Sequence, residues 1–368
     1  MAVSAISAFE QWMERAGAFA ADGRNQQMRI VVDAMGGDLA PQVNVEGAVN
    51  ALREFKDVEI ILVGQEAEIR KCLKDWDDVK DRLSIVDAPD VITTHEHPVM
   101  ALRKKPNSSL VAGMNIVRRK EAEAFVSAGS TGAIMAGAMF KIGRIDGIDR
   151  PALAPVLPAP KKPLLLIDAG ANVDCHPDWL VQFGLMGSVY MEKVMGVKEP
   201  EVGLINIGEE AEKGDDRAKK TYALMAAGQP YKFIGNVEAR EILSGQADVL
   251  ACDGFVGNVV LKYTEGMAST MFGMIKTELM KSLRGKLGAL LAKPAFRAIK
   301  HSMDSTEVGG APLLGVEGAV VKAHGNSNAR AIFCAIRQAR RMVEGDVVGI
   351  IRREVANLTL ESKEEENN

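Results

Sequence analysis

Six short turns hold most of the residues in this 368-residue chain that could handle an anion. They are Asp33-Ala34-Met35-Gly36-Gly37-Asp38, Ser127-Ala128-Gly129-Ser130-Thr131-Gly132, Asp168-Ala169-Gly170-Ala171-Asn172, Asn206-Ile207-Gly208-Glu209-Glu210, Gly235-Asn236-Val237-Glu238 and Cys252-Asp253-Gly254-Phe255-Val256-Gly257-Asn258. Each follows an apolar run of strand length, so each reads as a turn leaving a strand, the last of them entering a helix near Val256. Glycine lets the backbone approach a ligand closely, and the first amides of a helix point at whatever sits there. One such turn is a common anion site and just as commonly only a turn. Six make a pattern.

Hydroxyls, amides and a few carboxylates around backbone-rich turns suit a small oxyanion, and phosphate is the obvious one. Near pH 7 much of it is already the dianion. A protein would need only to position it and to stabilise the oxyanion that develops on an acyl carbonyl. Lys213, in Glu209-Glu210-Ala211-Glu212-Lys213-Gly214, is a candidate to neutralise charge there, although a lysine beside three glutamates is also a common surface ion pair. Cys252 could be an acyl nucleophile, but it adjoins a buried strand end with no histidine base nearby in sequence. Thr94-His95-Glu96-His97 has the look of a metal pair, yet no partner cluster follows and Pro98 makes it a loop; no metal is expected.

These turns need strands to hold them. Apolar runs recur at 30–32, 58–63, 83–86, 124–126, 164–167, 202–207, 231–234 and 248–251, with helical patterns at 43–55, 66–76, 108–119, 133–142, 177–195 and 215–227 between them. Continuous apolar strands alternating with helices predict an α/β fold with a largely parallel, doubly wound sheet covered on both faces. Ligands of such sheets bind outside the carboxyl ends of the strands. All six turns lie at those ends and are predicted to line one crevice. Two more turn-like stretches follow, 309–315 and His324-Gly325-Asn326-Ser327, the second leading into a helix over 328–344 capped by Ser327 or Asn326. The Pro-rich stretch 151–163 reads as a subdomain boundary or a long surface loop. No two of the 35 glycines are separated by a single residue, so G-x-G-x-x-G cannot occur, and the P-loop, G-x-S-x-G and H-E-x-x-H patterns are absent too.

With 45 basic against 49 acidic residues the chain is near neutral, which argues against a nucleic-acid partner. Its four cysteines are widely spaced and form no C-x-x-C, as suits a reducing cytoplasm. Residues 1–27 carry Glu10, Glu14, Arg15 and Asp22 and no basic start, so they read as an amphipathic extension before a domain over 28–360. The acidic stretch 361–368 reads as a disordered tail. Residues 276 to 300 carry a local charge of +6 in a chain whose total is −4. Leu279, Leu283, Leu287 and Leu290 fall on one helical face there, with Lys281 and Arg284 off it, and Pro294 is expected to break the helix before residue 295. A basic, Leu-rich helical hairpin over 272–303 reads as an interfacial membrane element, or as a solvated face or dimer contact.

The turns, in this order, resemble the motifs of the bacterial phosphate acyltransferases, the acyl-ACP:phosphate acyltransferases of phospholipid synthesis. The match begins at Asp33-Ala-Met-Gly-Gly-Asp38 with Ala40-Pro41. It continues through the turns at 127, 168, 206, 235 and 253, Lys213-Gly214, Gly309-Gly-Ala-Pro-Leu-Leu-Gly315 and Lys322-Ala-His-Gly325. The chain departs from that pattern at Val308 and Asn326. The resemblance implies a fold of the isopropylmalate-dehydrogenase and phosphotransacetylase type and reversible transfer of a fatty acyl group from acyl carrier protein to inorganic phosphate, with no redox cofactor. It further implies a homodimer at the inner face of the membrane that passes acyl phosphate to a membrane glycerol-3-phosphate acyltransferase. Placing phosphate among the turns at 130–131, 253–258 and 324–327, which is an inference beyond the motif match, makes Lys213, Asn258 and Asp253 the expected catalytic residues. Asp33, Gly36, Gly37, Asp38, Ser130, Thr131, Asp168, Asn172, Asn236, Glu238, Gly257, His324 and Ser327 are expected to bind substrate, and Leu283, Leu287, Leu290, Lys281 and Arg284 to meet an anionic membrane. A short-chain phosphotransacetylase using coenzyme A and a non-catalytic membrane-surface scaffold are the alternatives.

Overall fold

In the computed structural model the described residues are 27–302 and 309–360. The expected N-terminal extension up to residue 26, Val308 and the acidic tail lie outside them. Seven strands form one sheet in the spatial order β3 (Leu83–Asp87), β2 (Val58–Gly64), β1 (Met28–Asp33), β4 (Ala124–Ser127), β12 (Ala319–Lys322), β11 (Ala311–Leu314) and β5 (Ala152–Leu153). Five form a second: β6 (Val156–Leu157), β7 (Leu164–Ile167), β10 (Val249–Ala251), β8 (Glu201–Asn206) and β9 (Lys232–Glu238). Pairing is parallel except where β11 meets β12 and β5 and where β6 meets β7. Strands such as β4 and β7 are buried throughout, as continuous apolar runs require when both faces are covered.

The Pro-rich stretch 151–163 is where the sheets meet. Residues 151–157 are buried rather than a surface loop, and β5 and β6 belong to different sheets. Ala154 N donates to Pro312 O at 2.9 Å in the first sheet and Leu166 N to Pro155 O at 3.0 Å in the second. Besides β5 and β6, two more strands were not expected. The stretch at 309–315 contains β11 rather than only turns, its glycines Gly309 and Gly310 at positive φ marking the entry. The four-residue β12 was too short to stand out.

Eleven helices surround the sheets among the described residues: α1 (Gln42–Glu54), α2 (Glu66–Cys72), α3 (Pro98–Lys104), α4 (Ser109–Arg118), α5 (Thr131–Gly137), α6 (Pro177–Lys193), α7 (Asp216–Ala226), α8 (Gly254–Met280), α9 (Leu283–Ser302), α10 (Ala329–Glu344) and α11 (Val347–Glu354). Three start on a carboxylate or amide cap in extended conformation: Asp215 accepts from Ala218 N at 2.8 Å, Asp253 from Val256 N at 2.9 Å and Asn328 from Ala331 N at 2.9 Å. Asn328 therefore caps α10, not Ser327 or Asn326. The basic hairpin differs from expectation too. Its first arm is the whole of α8, about 40 Å long at 1.5 Å per residue, and a break at Lys281 and Ser282 separates Leu279 from the other leucines. Pro294 sits inside α9 and does not end it. It is exposed, so the carbonyl that its ring cannot bond is left to water.

One apolar core spans both halves. Ile30, Val32 and Val126 of the first sheet and Leu165, Ile167 and Val249 of the second belong to it, closed by Val45 of α1, Phe183 and Tyr190 of α6, Ile332 of α10 and Ile351 of α11. Inside it Gln338 Nε2 of α10 donates to Tyr190 Oη at 2.6 Å, a buried bond between helices that cover different sheets. Tyr190→Phe leaves that amide without an acceptor and is expected to lower the unfolding free energy by roughly 1–2 kcal/mol. Urea denaturation followed by circular dichroism checks this, and it should still show one transition because the two halves share a core.

Candidate functional site

Five of the six expected turns follow strands, whereas Gly235-Asn236-Val237-Glu238 is itself the last part of β9, paired with β8. Contacts gather these segments into two groups, one at the strand ends of each sheet. In the first group Asp33, buried at the end of β1, accepts from Ser127 Oγ at 2.7 Å and from Met35 N at 3.1 Å. Burial pushes its carboxyl up, against hydrogen bonds from Ser109, Ser127 and the amides of Met35 and Gly36. Asn44 of α1 staples the 33–38 turn by donating to Asp33 O, Ala34 O and Gly36 O. A Cβ on Gly36 would lie 2.7 Å from Gly129 N, so only glycine lets the 33–38 and 127–131 turns pack this closely. The His324 turn closes the group, since Asp38 N donates to Gly325 O at 2.7 Å. Ser130 and Thr131 are half-buried at the start of α5, Asp38 and His324 are exposed, and Ser327 is buried with a hydroxyl that has no hydrogen-bond partner. Gly37 takes φ +103°, which suits no other residue well.

The second group is built on Asp168 at the end of β7. Its carboxylate accepts from Leu153 N at 2.9 Å, Ala171 N at 3.0 Å, Asn172 N at 2.6 Å and Asn172 Nδ2 at 3.0 Å. Asn172 O in turn accepts from Gly254 N at 2.6 Å, which seats the start of α8 on this loop. A Cβ on Gly257 would lie 1.8 Å from Asp168 O, so glycine is obligatory there. Asp253 is buried with one oxygen on Val256 N and the other paired with Arg217 at 2.9 Å. Asn258 is exposed one turn along, beside Gly170. Lys213 is exposed in the loop after β8, where Asn206 Nδ2 holds its carbonyl at 3.1 Å. Asn236 Nδ2 donates to Glu210 O at 2.8 Å while its carbonyl oxygen is buried and unpartnered, and Glu238 pairs with Arg240 at 2.8 Å. Glu96 of the histidine-rich loop is taken by Lys105 at 2.8 Å, which with Thr93 holds its carboxyl down to about 2.

Cys252 is buried beneath this group. Burial pushes its thiol well above the ordinary range, and the charges of Asp168 and Asp253 push the same way. Cys175 is likewise pushed up, to about 12. Neither can supply a thiolate near neutral pH. Three residues that organise the site were not singled out from the sequence. Ser127 stood inside a quoted motif, whereas Asn44 and Arg217 lie on helices, where nothing in the sequence separates a polar staple from a solvated side chain.

A family model described as "Fatty acid synthesis protein" matches residues 28–349. The phosphate acyltransferase of Clostridium perfringens (strain SM101 / Type A) is 51% identical over 336 residues, 91% of this chain and 99% of the relative. That of Alkaliphilus oremlandii is 49% identical over 331 residues, covering 90% and 98%. Among solved structures a phosphotransacetylase from Streptococcus pyogenes aligns with a TM-score of 0.58 at 17% identity, covering 94% of this chain and 100% of that one. A branched-chain phosphotransacylase from Enterococcus faecalis V583 gives 0.51 at 14% identity, covering 86% and 99%. At such identities the structures share the fold, which is the expected doubly wound α/β type.

Burial pushes the Asp168 carboxyl up to about 6 against the hydrogen bonds that favour its anion. The folded value lies above the unfolded one, 3.8, so the folded state takes up the proton first as pH falls. The destabilisation from a buried anion is therefore full above pH 6 and is lost as pH falls towards 4. Between pH 7 and pH 5 the difference in unfolding free energy between wild type and Asp168→Asn is expected to move in favour of the wild type by on the order of 1 kcal/mol. Urea titrations of both proteins at the two pH values check it; a difference independent of pH would show that Asp168 ionises as an ordinary aspartate.

Proposed function

The chain belongs to the phosphate acyltransferase family, enzymes of fatty acid and phospholipid synthesis, and from that premise we propose that it moves a long-chain fatty acyl group, reversibly, from the thioester of acyl carrier protein to inorganic phosphate. The products are acyl phosphate, destined for a membrane glycerol-3-phosphate acyltransferase, and free carrier protein. One observation carries the reading: 51% identity to a phosphate acyltransferase over 91% of the chain. In this scheme bound phosphate attacks the thioester directly. Ser130, Thr131, His324 and Ser327 hold it from the first sheet and the turn containing Gly257 from the second. Lys213 and Asn258 meet the reacting carbonyl, and Asp253 sets the start of α8. Asp33, Gly36, Gly37 and Asp38 shape the first group, and Asp168, Asn172, Asn236 and Glu238 the second. The neutral, buried thiols of Cys252 and Cys175 support a mechanism without an acyl-cysteine. No redox cofactor takes part.

The hairpin suits work at the inner face of the cell membrane. Among the described residues no helix is long and apolar enough to cross a bilayer. Leu283, Leu287 and Leu290 are exposed by 84%, 60% and 65%, with Lys281 and Arg284 exposed beside them. Leucines of this kind enter the acyl region while cations meet anionic headgroups. Phe255, Val259, Tyr263, Met267 and Met271 recur every four residues along α8 and are exposed, which supports a second copy of the chain as their cover and hence a homodimer.

The shared phosphotransacetylase fold favours one rival, a short-chain enzyme using coenzyme A. Initial rates with palmitoyl-carrier protein and with acetyl-CoA, each with phosphate, separate the two; we expect the carrier-linked substrate to win, and a preference for acetyl-CoA sinks the long-chain reading. If neither yields acyl phosphate while the protein binds liposomes, it is a scaffold. Leu287→Glu is expected to weaken binding to anionic liposomes at least tenfold with acyl transfer in solution near wild type. Unchanged flotation with those liposomes would remove the hairpin from the membrane.

A further inference from the structure

Lys322 closes β12 near the middle of the first sheet, in register with Ser127 on β4 and Ala311 on β11. Ser127 is the residue whose hydroxyl is bonded to Asp33, so the lysine continues the row of polar strand ends that underlies the first group of turns. It stands on the side of that row leading to the junction with the second sheet. The charged groups that act on its ammonium come from the other half of the molecule, Lys262 and Glu265 of α8. Those two are bonded to each other at 2.9 Å. Among the described residues no carboxylate or carbonyl pairs with Lys322, although its side chain is half-buried. Burial pushes its pKa below the ordinary lysine range, and Lys262 pushes the same way.

A cation held partly out of water without a partner costs stability, and such groups persist where a ligand supplies the partner. The loop that Lys322 opens holds a second unpartnered polar group, the Ser327 hydroxyl, which is buried. Exposed lysines cannot play this part as well. Lys213 is in contact with water, where a point charge is worth little. We infer that Lys322 is the residue that binds the substrate phosphate, its ammonium lying between the first-sheet turns and α8 and pairing with the dianion that Ser327 also touches. Lysine binds phosphate as a point charge, so the ammonium of a half-buried lysine is a better receptor for it than that of an exposed one. This rests on the acyl-phosphate reading for the identity of the anion, and on the unpartnered lysine and hydroxyl for the location.

The test uses the full chain and inorganic phosphate. Phosphate is expected to raise the melting temperature of the wild type. Lys322→Met should melt at or above the wild-type temperature without phosphate, because an unpaired charge held partly out of water has been replaced by an apolar side chain of similar length. It should lose the phosphate-dependent rise and show a phosphate KM at least tenfold higher, whereas Lys322→Arg regains part of both. Lys322→Gln serves if the Met variant does not fold. A Met or Gln variant with wild-type phosphate response and KM overturns the assignment while leaving acyl-phosphate synthesis intact, and so does a wild type that phosphate does not stabilise. If the wild type makes no acyl phosphate from any thioester, the functional reading fails instead, and the loss of the phosphate-dependent rise in Lys322→Met still locates the anion.

Discussion

The rest of the structure depends on one buried carboxylate. Asp168 ends the strand β7 at the junction of the two sheets, with no exposed surface and four N–H groups directed at it. One donor, Leu153 N, belongs to the first sheet; the others belong to the loop that follows Asp168 itself. An anion with no exposure is costly unless hydrogen bonds replace its water. The side chain therefore fixes the loop at 168–172 and, through it, how the two sheets abut. The same residue sets α8. Its backbone oxygen lies so close to Gly257 that no side chain fits there, and Asn172 O takes the first free amide of the helix. A helix of 27 residues that carries the exposed hairpin at its far end thus starts from a single buried aspartate.

The first group of turns solves the same problem with other parts. Asp33 is also a buried acid at a strand end, but its partners are a serine hydroxyl and a local amide, and its turn is stapled by the Asn44 amide from α1. Close approach of backbone to backbone at Gly36 and Gly129 replaces the loop that Asp168 organises. In both groups the buried carboxylate shapes the backbone, and neutral groups, the hydroxyls of Ser130 and Thr131 and the amide of Asn258, reach the surface beside it. Such groups accept an anion instead of repelling it.

Much of this was legible from residue types. Strand runs such as 164–167 and 58–63 are continuous and apolar because their strands are covered on both faces, and the structure places β7 and β2 there. The turns were legible because Asp-Gly and Gly-Gly pairs punctuate a chain whatever surrounds them. Their division into two groups was not, because strand order depends on which strands pair across the junction at 151–157, and nothing local encodes that. Pro312 made β11 look like a turn; its strand lies between β12 and β5, where Pro312 still supplies a carbonyl to Ala154 N. Pro294 failed as a helix signal for the opposite reason, since at an exposed position water takes the lost bond. Lys322 and Lys213 look alike in a list of charges. Only burial distinguishes them.

That distinction bears on which group does the chemistry. A thioester can be opened by a protein thiolate or by an external nucleophile. The two cysteines near the 168–172 and 252–258 turns are held protonated by burial and by the neighbouring aspartates, so the carboxylates that order the backbone also silence the thiols. Tyr231, a buried phenol packed against α6, is pushed up by burial as well and donates to Val181 O. A site whose own nucleophiles are silenced in this way suits a reaction in which the nucleophile arrives already charged, and phosphate at neutral pH is such a nucleophile. Its charge must then be met by the protein, and a half-buried lysine meets it better than an exposed one because water screens the pair less.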